Sequence, residues 1–248
     1  MSTRGLSTTS KILVVAIDHA LYSWPCVGLE ARADVLEQSV EGGADAIIAS
    51  YGTMRRYGVE FGETTAIMKL DLTTSSLGDQ YPVSPYRLAW TVDNAASLGA
   101  GAVLTFVQLG ADDELEALTA AARTAVHARE LDLAYVCEIM PIESERFPDP
   151  TSPIAIAAAA RVADELGADL IKTSIPDPVV GISQAVEICA VPVILAGGAH
   201  YADPEEFYAD VAAALAAGAH GMAVGRNVWG SPDPQRTVSR LRELLDGG

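Results

Sequence analysis

The sequence has few lysines and few cysteines, and it lacks any long apolar run. Its 248 residues include thirteen arginines but only three lysines, Lys11, Lys69 and Lys172. Codon usage explains that scarcity, yet any lysine inside an apolar strand is notable. With 33 acidic residues, the formal net charge is −17. Nucleic acids and anionic membrane surfaces both attract Lys and Arg, so this composition argues against both partners.

The cysteines and the apolar runs bear on the compartment. Cys26, Cys137 and Cys189 form no CxxC pattern and cannot all pair. Cys137 and Cys189 lie in apolar surroundings, so we expect these two to be small core residues in a reducing compartment. The apolar runs 12–17 and 154–160 are much shorter than the ~20 residues of a membrane span. The start, MSTRGLSTTSK, has no apolar core of a signal peptide. These features predict a cytoplasmic protein.

Eight short aliphatic runs alternate with segments of helical spacing. Continuous apolar runs are typical of strands buried on both faces, which predicts a parallel sheet built from βα units. The predicted strands, numbered one to eight, are Ile12–Ile17, Ala44–Ala49, Ala66–Leu72, Ala102–Val107, Leu133–Ile139, Asp169–Ile175, Val191–Ala196 and Met222–Val224. The clearest predicted helices are Glu114–Arg129, Pro153–Leu166, Pro204–Ala216 and Gln235–Leu245.

A weak internal repeat indicates how these units close. Gly-Ala pairs begin at Gly43, Gly99, Gly167 and Gly218, each between a helix and an even-numbered strand, 51 to 68 residues apart. A glycine there ends a helix in the left-handed conformation. The count and spacing predict an α/β fold, a single (β/α)8 TIM barrel over residues 1–248, with residues 1–10 flexible. A doubly wound sheet is the alternative, but no GxGxxG follows the first strand.

Lys172 is the most informative residue of the predicted site, because barrel enzymes build their sites at the carboxyl ends of the strands. Burial lowers the pKa of a lysine, and a neutral lysine is a nucleophile that forms Schiff bases with carbonyls. The alternative is a structural lysine that pairs with Asp18 or Glu138. In the other repeat copies the matching position is aliphatic: Ile48, Leu104 and Ala223.

Two glycine loops predict a phosphate site. Gly197 and Gly198 end strand seven with backbone N–H groups free of a Cβ, and Gly225-Arg226 ends strand eight with a guanidinium. Barrels often bind phosphate between these two loops. A tight turn is the plainer interpretation of the double glycine. An anionic substrate must reach this acidic protein, so we expect one small basic pocket.

The remaining candidates have less specific signals. Asp18 and Glu138 are candidates for proton transfer, although the alternative role of either is to neutralise the charge of Lys172. His19 is a candidate orienting hydrogen-bond partner or an ordinary loop histidine. Lys69 and Ser174 are candidate substrate contacts. Aromatic residues near loop starts would wall the pocket or pack in the core: Trp24, Tyr51, Tyr81 and Trp229. His200 and His220 lack metal-ligand spacing, so no metal is predicted.

The C-terminal third resembles a known family. The segments Val193-Ile-Leu-Ala-Gly-Gly198 and Ala217-Gly-Ala-His-Gly-Met-Ala-Val-Gly-Arg-Asn-Val-Trp229 are similar to the signature of archaeal-type class I fructose-bisphosphate aldolases. That family includes 2-amino-3,7-dideoxy-D-threo-hept-6-ulosonate synthase and belongs with the deoxyribose-phosphate aldolase-like barrels. The likeness covers most of the chain and includes Asp18-His19, Lys69-Leu70, Thr73-Thr74 and Asp169-Leu-Ile-Lys172.

The resemblance implies roles for matching residues. It implies that Lys172 forms the Schiff base, that Asp18 assists it, and that the loops Gly197-Gly198 and Gly225-Arg226 hold the substrate phosphate. It also implies an assembly of identical subunits.

Several positions depart from the family pattern. Met140 replaces the family's proton-transferring tyrosine, whereas Glu138 resembles the catalytic glutamate of the related tagatose-bisphosphate aldolases. Ala20 replaces a glycine, and Ala199-His200 replaces the commoner Pro-Lys. Ile194 stands where deoxyribose-phosphate aldolase has its second lysine. These departures leave open whether fructose 1,6-bisphosphate is the substrate.

The main hypothesis is a class I aldolase without metal or other cofactor. It would act on a phosphorylated sugar or ketone together with an aldehyde, through a Lys172 Schiff base. One alternative is a biosynthetic aldol or transaldol synthase that uses a different aldehyde, such as an amino-acid semialdehyde. A sugar-phosphate isomerase or decarboxylase without a covalent lysine is a second, and a non-catalytic binding module is a third.

Overall fold

The computed structural model describes residues 6, 10–22, 26–72 and 86–247. The predicted wall residues Trp24 and Tyr81 and the pair Thr73-Thr74 lie outside these ranges, as does most of the segment 1–10 that was predicted to be flexible. Within the described ranges, every helix is too short or too polar to cross a membrane.

Eight parallel strands form a closed barrel, which confirms the predicted (β/α)8 architecture. The barrel strands are β1 (Ile12–Ala16), β2 (Ala46–Ala49), β3 (Thr65–Lys69), β6 (Ala102–Leu109), β7 (Ala134–Pro141), β8 (Leu170–Thr173), β9 (Val193–Ala196) and β10 (Gly221–Val224). Each strand pairs with its neighbours in the chain, and β1 closes the barrel against β10 with Ile12 opposite Gly221. All eight predicted runs therefore contribute a barrel strand.

Helices cover the outside of the barrel. They are α1 (Arg32–Glu41), α2 (Tyr51–Tyr57), α3 (Val92–Ser97), α4 (Glu114–Glu130), α5 (Pro153–Glu165), α6 (Ile182–Ile188), α7 (Pro204–Ala216), α8 (Arg226–Trp229) and α9 (Pro234–Gly247). Proline begins α5, α7 and α9, where its missing N–H costs no hydrogen bond. The repeat glycines Gly43, Gly99, Gly167 and Gly218 have φ of 93°, 75°, 92° and 104°, as predicted for helix ends.

Alternate residues of each barrel strand face inward, and the others pack under the helices. The inward set forms one apolar cluster: Leu6, Ile12, Val14, Ala16, Ala46, Ile48, Ile67, Ala102, Leu104, Ala134, Val136, Leu170, Ile194 and Ala223. A second and larger apolar cluster fills the space between barrel and helices. Burial on both faces explains why the strands are continuous apolar runs in the sequence.

The third predicted strand, Ala66–Leu72, is wrong at its end. The barrel strand stops at Lys69, and Asp71–Leu72 (β4) pairs antiparallel with Arg87–Leu88 (β5) in a separate small sheet. The carbonyl of Leu70 accepts hydrogen bonds from Ala89 and Trp90, which draws the chain away from the barrel wall. This bend places Asp71 beside the end of the barrel strand.

None of the three cysteines forms a disulfide with another. Cys26 and Cys137 are buried, and Cys189 is half-buried. Burial raises the pKa of the Cys137 thiol to about 12, so it behaves as a small core residue. The reducing compartment stays a prediction.

Candidate active site

The upper layer of the barrel interior is polar, whereas the layers beneath it are aliphatic. Toward the carboxyl ends of four neighbouring strands, the inward positions just above the aliphatic layer carry Lys69, Phe106, Glu138 and Lys172. The inner-layer residues two positions earlier are Ile67, Leu104, Val136 and Leu170. Strand alternation therefore directs this upper set toward the barrel axis.

These side chains line a cavity of about 310 Å³ at the end of the barrel where such enzymes bind substrate. The other lining residues are Ala16, His19, Tyr22, Met140, Ala196, Gly197, Gly198, Ala223, Gly225 and Arg226. Of the ten residues predicted from the sequence for this site, eight therefore line one cavity. The volume suits a small phosphorylated metabolite.

Lys172 and Glu138 form an ion pair at the cavity wall. The two residues lie opposite each other in the β7–β8 register, and Lys172 Nζ is 2.7 Å from Glu138 Oε1. Lys172 is only 4% exposed. Both predicted interpretations fit this geometry, because a carboxylate that neutralises an ammonium is also placed to accept its proton.

Lys69 forms a second ion pair with Asp71. Lys69 Nζ is 2.7 Å from Asp71 Oδ1, and the two side chains are 1% and 0% exposed. Burial lowers the pKa of Lys69, but the carboxylates of Asp71, Glu138 and Asp18 outweigh burial and leave that pKa raised. Lys69 is therefore an ammonium.

Asp18 and His19 follow β1, and their side chains are not joined by a hydrogen bond. His19 Nδ1 lies 3.6 Å from Asp18 Oδ1, beyond hydrogen-bond reach, and neither atom has another hydrogen-bond partner among the described residues. Asp18 is 2% exposed and lies behind the cavity wall. Burial, then the charges of Lys172 and Arg226, lower the pKa of His19 to about 3, so His19 is neutral.

The two glycine loops line the same cavity, at the ends of β9 and β10, with the Gly197-Gly198 loop next to β8 and its Lys172. Gly198 is exposed with a φ of 68°, and Arg226 is exposed and makes no ion pair with a described residue. A Cβ at Gly225 would lie 2.5 Å from the His19 ring, so this position has no room for a side chain. One detail is corrected: the Gly197 N–H donates to the Ala223 carbonyl and is not free for a ligand.

Asn227 holds the double-glycine loop in place, and this role of Asn227 was not predicted from the sequence. Its Nδ2 donates to the carbonyls of Gly197 and Ala199 at 2.9 Å each, and its Oδ1 accepts from the Tyr201 N–H. A buried amide that satisfies three backbone groups holds this loop in one conformation. The signal available in the sequence was the Gly-Arg-Asn run itself.

One further expectation is not met by the described cavity. Ser174 is half-buried and is absent from the cavity lining, because β8 ends at Thr173 and Ser174 lies beyond the strand. The lining itself carries three basic side chains, Lys69, Lys172 and Arg226, and one carboxylate, Glu138, in line with the small basic pocket that was expected. The carboxylates of Asp18 and Asp71 are buried behind this lining.

Of the two roles predicted for the aromatic side chains, Trp229 and Tyr51 take the packing role. Trp229 packs edge-on against His19 and donates its Nε1 hydrogen to the Ala16 carbonyl, and Tyr51 stacks on Trp90. These are packing roles. Tyr22 and Phe106 line the cavity instead, with ring centroids 5.8 and 5.3 Å from Lys69 Nζ. Phe106 was predictable, since it continues the inward alternation of its strand.

A closed barrel with a buried lysine–carboxylate ion pair at the carboxyl ends of its strands is typical of barrel enzymes that act on small carbonyl compounds. The chain belongs to the DeoC/LacD aldolase family, whose model matches residues 12–231. This membership confirms the predicted relationship to the class I aldolases. The roles of individual residues stay predictions.

Similar proteins cover almost the whole chain. A class 1 fructose-bisphosphate aldolase of Thermoproteus tenax is 32% identical over 99% of this chain and 93% of its own. A 2-amino-4,5-dihydroxy-6-oxo-7-(phosphonooxy)heptanoate synthase of Streptomyces griseus is 29% identical over 95% and 85%. A solved archaeal fructose-1,6-bisphosphate aldolase, with its catalytic lysine bound to a carbinolamine intermediate, aligns at a TM-score of 0.87 with 29% identity over 98% and 96%.

Proposed function

We propose that this protein is a class I aldolase that makes or breaks a carbon–carbon bond in a phosphorylated ketose through a Schiff base on Lys172. The observation that carries the proposal is the buried Lys172–Glu138 pair, 2.7 Å apart and facing the cavity. The aldolase with a carbinolamine on its catalytic lysine supports it, since that protein has the same fold and family.

In the first stage, Glu138 takes a proton from the Lys172 ammonium. The free amine then attacks the substrate ketone to give a carbinolamine. Glu138 returns its proton to the carbinolamine hydroxyl, water leaves, and a cationic iminium remains on Lys172. The short distance between the two groups makes this proton exchange direct.

In the second stage, the iminium accepts electrons as the carbon–carbon bond breaks. A carboxylate removes the proton of the hydroxyl on the far side of that bond, an aldehyde leaves, and an enamine remains on Lys172. Glu138 faces the cavity and is the proposed base, with Asp18 behind the wall as an electrostatic partner. Protonation of the enamine and hydrolysis of the new iminium release the second product and restore Lys172.

The part of the cavity wall formed by the two glycine loops is proposed to hold the phosphate. Arg226 supplies a guanidinium with no protein partner among the described residues, and Gly198 brings backbone close without a side chain. Asn227 keeps the Gly198 loop in place. Lys69 adds a fixed positive charge at the cavity wall, which attracts an anionic substrate.

A second candidate function is a biosynthetic synthase in which the enamine is joined to another aldehyde. The Streptomyces griseus synthase favours it, as does Met140, a cavity residue that offers no acid or base. This alternative keeps Lys172 in the same role and changes only the acceptor, so the two functions differ in substrate preference rather than in covalent chemistry.

Borohydride trapping tests the shared chemistry. Incubation with dihydroxyacetone phosphate and borohydride should leave a reduced adduct on the Lys172 peptide, and the Lys172→Met variant should leave none there. An unmodified Lys172 peptide from a folded, catalytically active sample would overturn the proposal. Activity across a panel of acceptor aldehydes then separates the ketose aldolase from the synthase.

A cytoplasmic location and an assembly of identical subunits are also part of this proposal. The family resemblance supports the assembly, and light scattering on the purified chain measures its mass. Independence from metal ions is tested by activity after dialysis against a chelator, which should be unchanged. A loss that zinc or magnesium restores would contradict this part.

A further inference from the structure

Two lysines line one cavity in this protein, which creates a problem of selectivity. Lys69 and Lys172 both line the cavity, and each lies near the carboxyl end of its strand. Any carbonyl compound in the cavity therefore meets two primary amines. An imine on Lys69 would block the site without leading to products. The structure must distinguish the two lysines.

The two lysines differ in the carboxylate that each one meets. Lys172 pairs with Glu138 on the next strand, and the Glu138 side chain is 10% exposed at the cavity. Lys69 pairs with Asp71, two residues further along its own segment, and that carboxylate has no exposed surface. Glu138 can therefore exchange protons with a bound substrate, whereas Asp71 touches only protein groups.

Asp71 is itself held in place from two sides. Its Oδ1 lies 2.7 Å from Lys69 Nζ, and its Oδ2 accepts the backbone N–H of Phe106 on β6. The bend after Lys69, which ends the barrel strand, is what places this carboxylate beside the ammonium. The other carboxylates that act on Lys69 are Glu138, which pairs with Lys172, and Asp18.

We propose that Asp71 is a positioning residue that keeps Lys69 as an ammonium and so reserves imine formation for Lys172. The inference rests on the proposed function, because it concerns which lysine reacts. An ammonium has no lone pair to attack a carbonyl. Without the Asp71 charge, Lys69 is a buried cation with no adjacent counter-ion, and loss of its proton is then the least costly response.

The Asp71→Asn variant separates this electrostatic role from a structural one. Asparagine has nearly the same shape, and its side-chain oxygen can still accept the Phe106 N–H. Only the negative charge is removed. A purely structural role for Asp71 predicts that this variant behaves like the wild type, whereas the proposal predicts a reactive Lys69.

Reductive methylation with formaldehyde and borohydride reports which lysine has a free lone pair. The amine attacks formaldehyde, water leaves, and borohydride transfers a hydride to the imine carbon to give a methylamine. Formaldehyde is small enough to reach a lysine in a narrow cavity. Because the chain has only Lys11, Lys69 and Lys172, peptide mass spectrometry assigns each methyl group without ambiguity.

In the Asp71→Asn variant, methylation of Lys69 should become at least about tenfold faster near pH 7, because the neutral fraction changes about tenfold for each unit of pKa. Lys11 should be unaffected. With dihydroxyacetone phosphate and borohydride, part of the adduct should also move to Lys69. The matched control is Asp45→Asn, which removes one negative charge from the Arg242 pair far from the cavity and should leave Lys69 protected.

A folded Asp71→Asn variant whose Lys69 is no more reactive than in the wild type overturns the proposal. If the variant does not fold, methylation of the wild-type protein still tests the proposal. Because the neighbouring carboxylates raise the pKa of Lys69, its methylation in the wild type should be slower than that of Lys11 at every pH from about 7 to about 10. Equal rates for Lys69 and Lys11 near pH 7 contradict the proposal.

The proposed function fails separately. It fails if the wild type forms no substrate adduct on Lys172, whatever the reactivity of Lys69. The inference fails if that adduct forms normally while removal of the Asp71 charge leaves Lys69 inert.

Discussion

The Lys172–Glu138 and Lys69–Asp71 pairs have the same chemistry and the same 2.7 Å separation, yet they are built differently. The first joins two neighbouring barrel strands, and both of its members line the cavity. The second lies within one bent segment, and its carboxylate is sealed inside protein. Both lysines line the cavity, but only the Glu138 carboxylate is accessible to substrate.

This difference teaches that access to the carboxylate, rather than burial of the lysine, separates a reactive pair from a fixed one. Both lysines are almost fully buried. A carboxylate that can reach the substrate lets its lysine lose and regain a proton during a reaction. A sealed carboxylate can only hold the ammonium, which turns the lysine into a permanent charge.

The largest effect should come from Lys172→Arg. Arginine keeps the positive charge beside Glu138 but forms no Schiff base, so activity should fall by at least about 10⁴-fold. Steady-state rates and borohydride trapping measure this. An isomerase or decarboxylase without a covalent lysine predicts retained activity, and that result would remove the distinction between the two pairs.

Glu138→Gln should have the next largest effect. Glutamine occupies the same space but carries no charge and moves no proton, so kcat should fall by about 10² to 10⁴-fold. The adduct on Lys172 should still form, only more slowly, which stopped-time trapping would show. An unchanged kcat would indicate that Asp18, rather than Glu138, transfers the protons.

Lys69→Met should act on substrate binding more than on chemistry. Loss of the fixed charge should raise KM for the phosphorylated substrate by roughly tenfold, which corresponds to about 1.4 kcal/mol, and leave the Lys172 adduct in place. The variant should also lose about 3 kcal/mol of stability, because the buried Asp71 carboxylate loses its partner.

The Lys69→Met, Asp71→Asn double variant serves as the control for that loss. Removing both charges should restore much of the stability but leave KM raised, as measured by urea unfolding and initial rates. A single variant as stable as the wild type would show that Asp71 does not depend on Lys69.

The smallest effect should come from His19, which lies beside both pairs. Unfolded His19 binds a proton below about pH 6.5, whereas the folded protein resists protonation down to about pH 3. Acid therefore favours the unfolded state over this range. Between pH 7 and about 4.5, the wild type should lose about 2 kcal/mol more stability than His19→Gln. Equal losses of unfolding free energy in the wild type and in His19→Gln, measured by urea unfolding, would contradict the lowered pKa of buried His19.

Much of the fold was predictable because the barrel imposes a strong pattern. Strands buried on both faces must be apolar throughout, so eight runs were visible, and glycines with positive φ marked the helix ends. Lys172 was visible for the same reason, as a charge in an apolar strand. The glycine loops were found because their residues are contiguous.

The parts that sequence reasoning missed depend on geometry that no periodicity encodes. Asp71 lies in a short antiparallel strand outside the barrel, whereas one continuous barrel strand was predicted there, so its sealed contact with Lys69 was not foreseen. Tyr22 lines the cavity from a loop, where side-chain direction follows no repeat. Asn227 acts through three backbone groups on another loop. Such contacts are set by tertiary structure.

The closure of the barrel has a consequence for how the enzyme is made. β1 pairs with β10, and Trp229 donates to the carbonyl of Ala16 across a separation of 213 residues. During synthesis, β1 and the Asp18-His19 segment therefore emerge long before β10, their neighbour on one side of the barrel. The nascent chain must hold an apolar strand without this partner, and the active site is incomplete until β10 and Arg226 have left the ribosome.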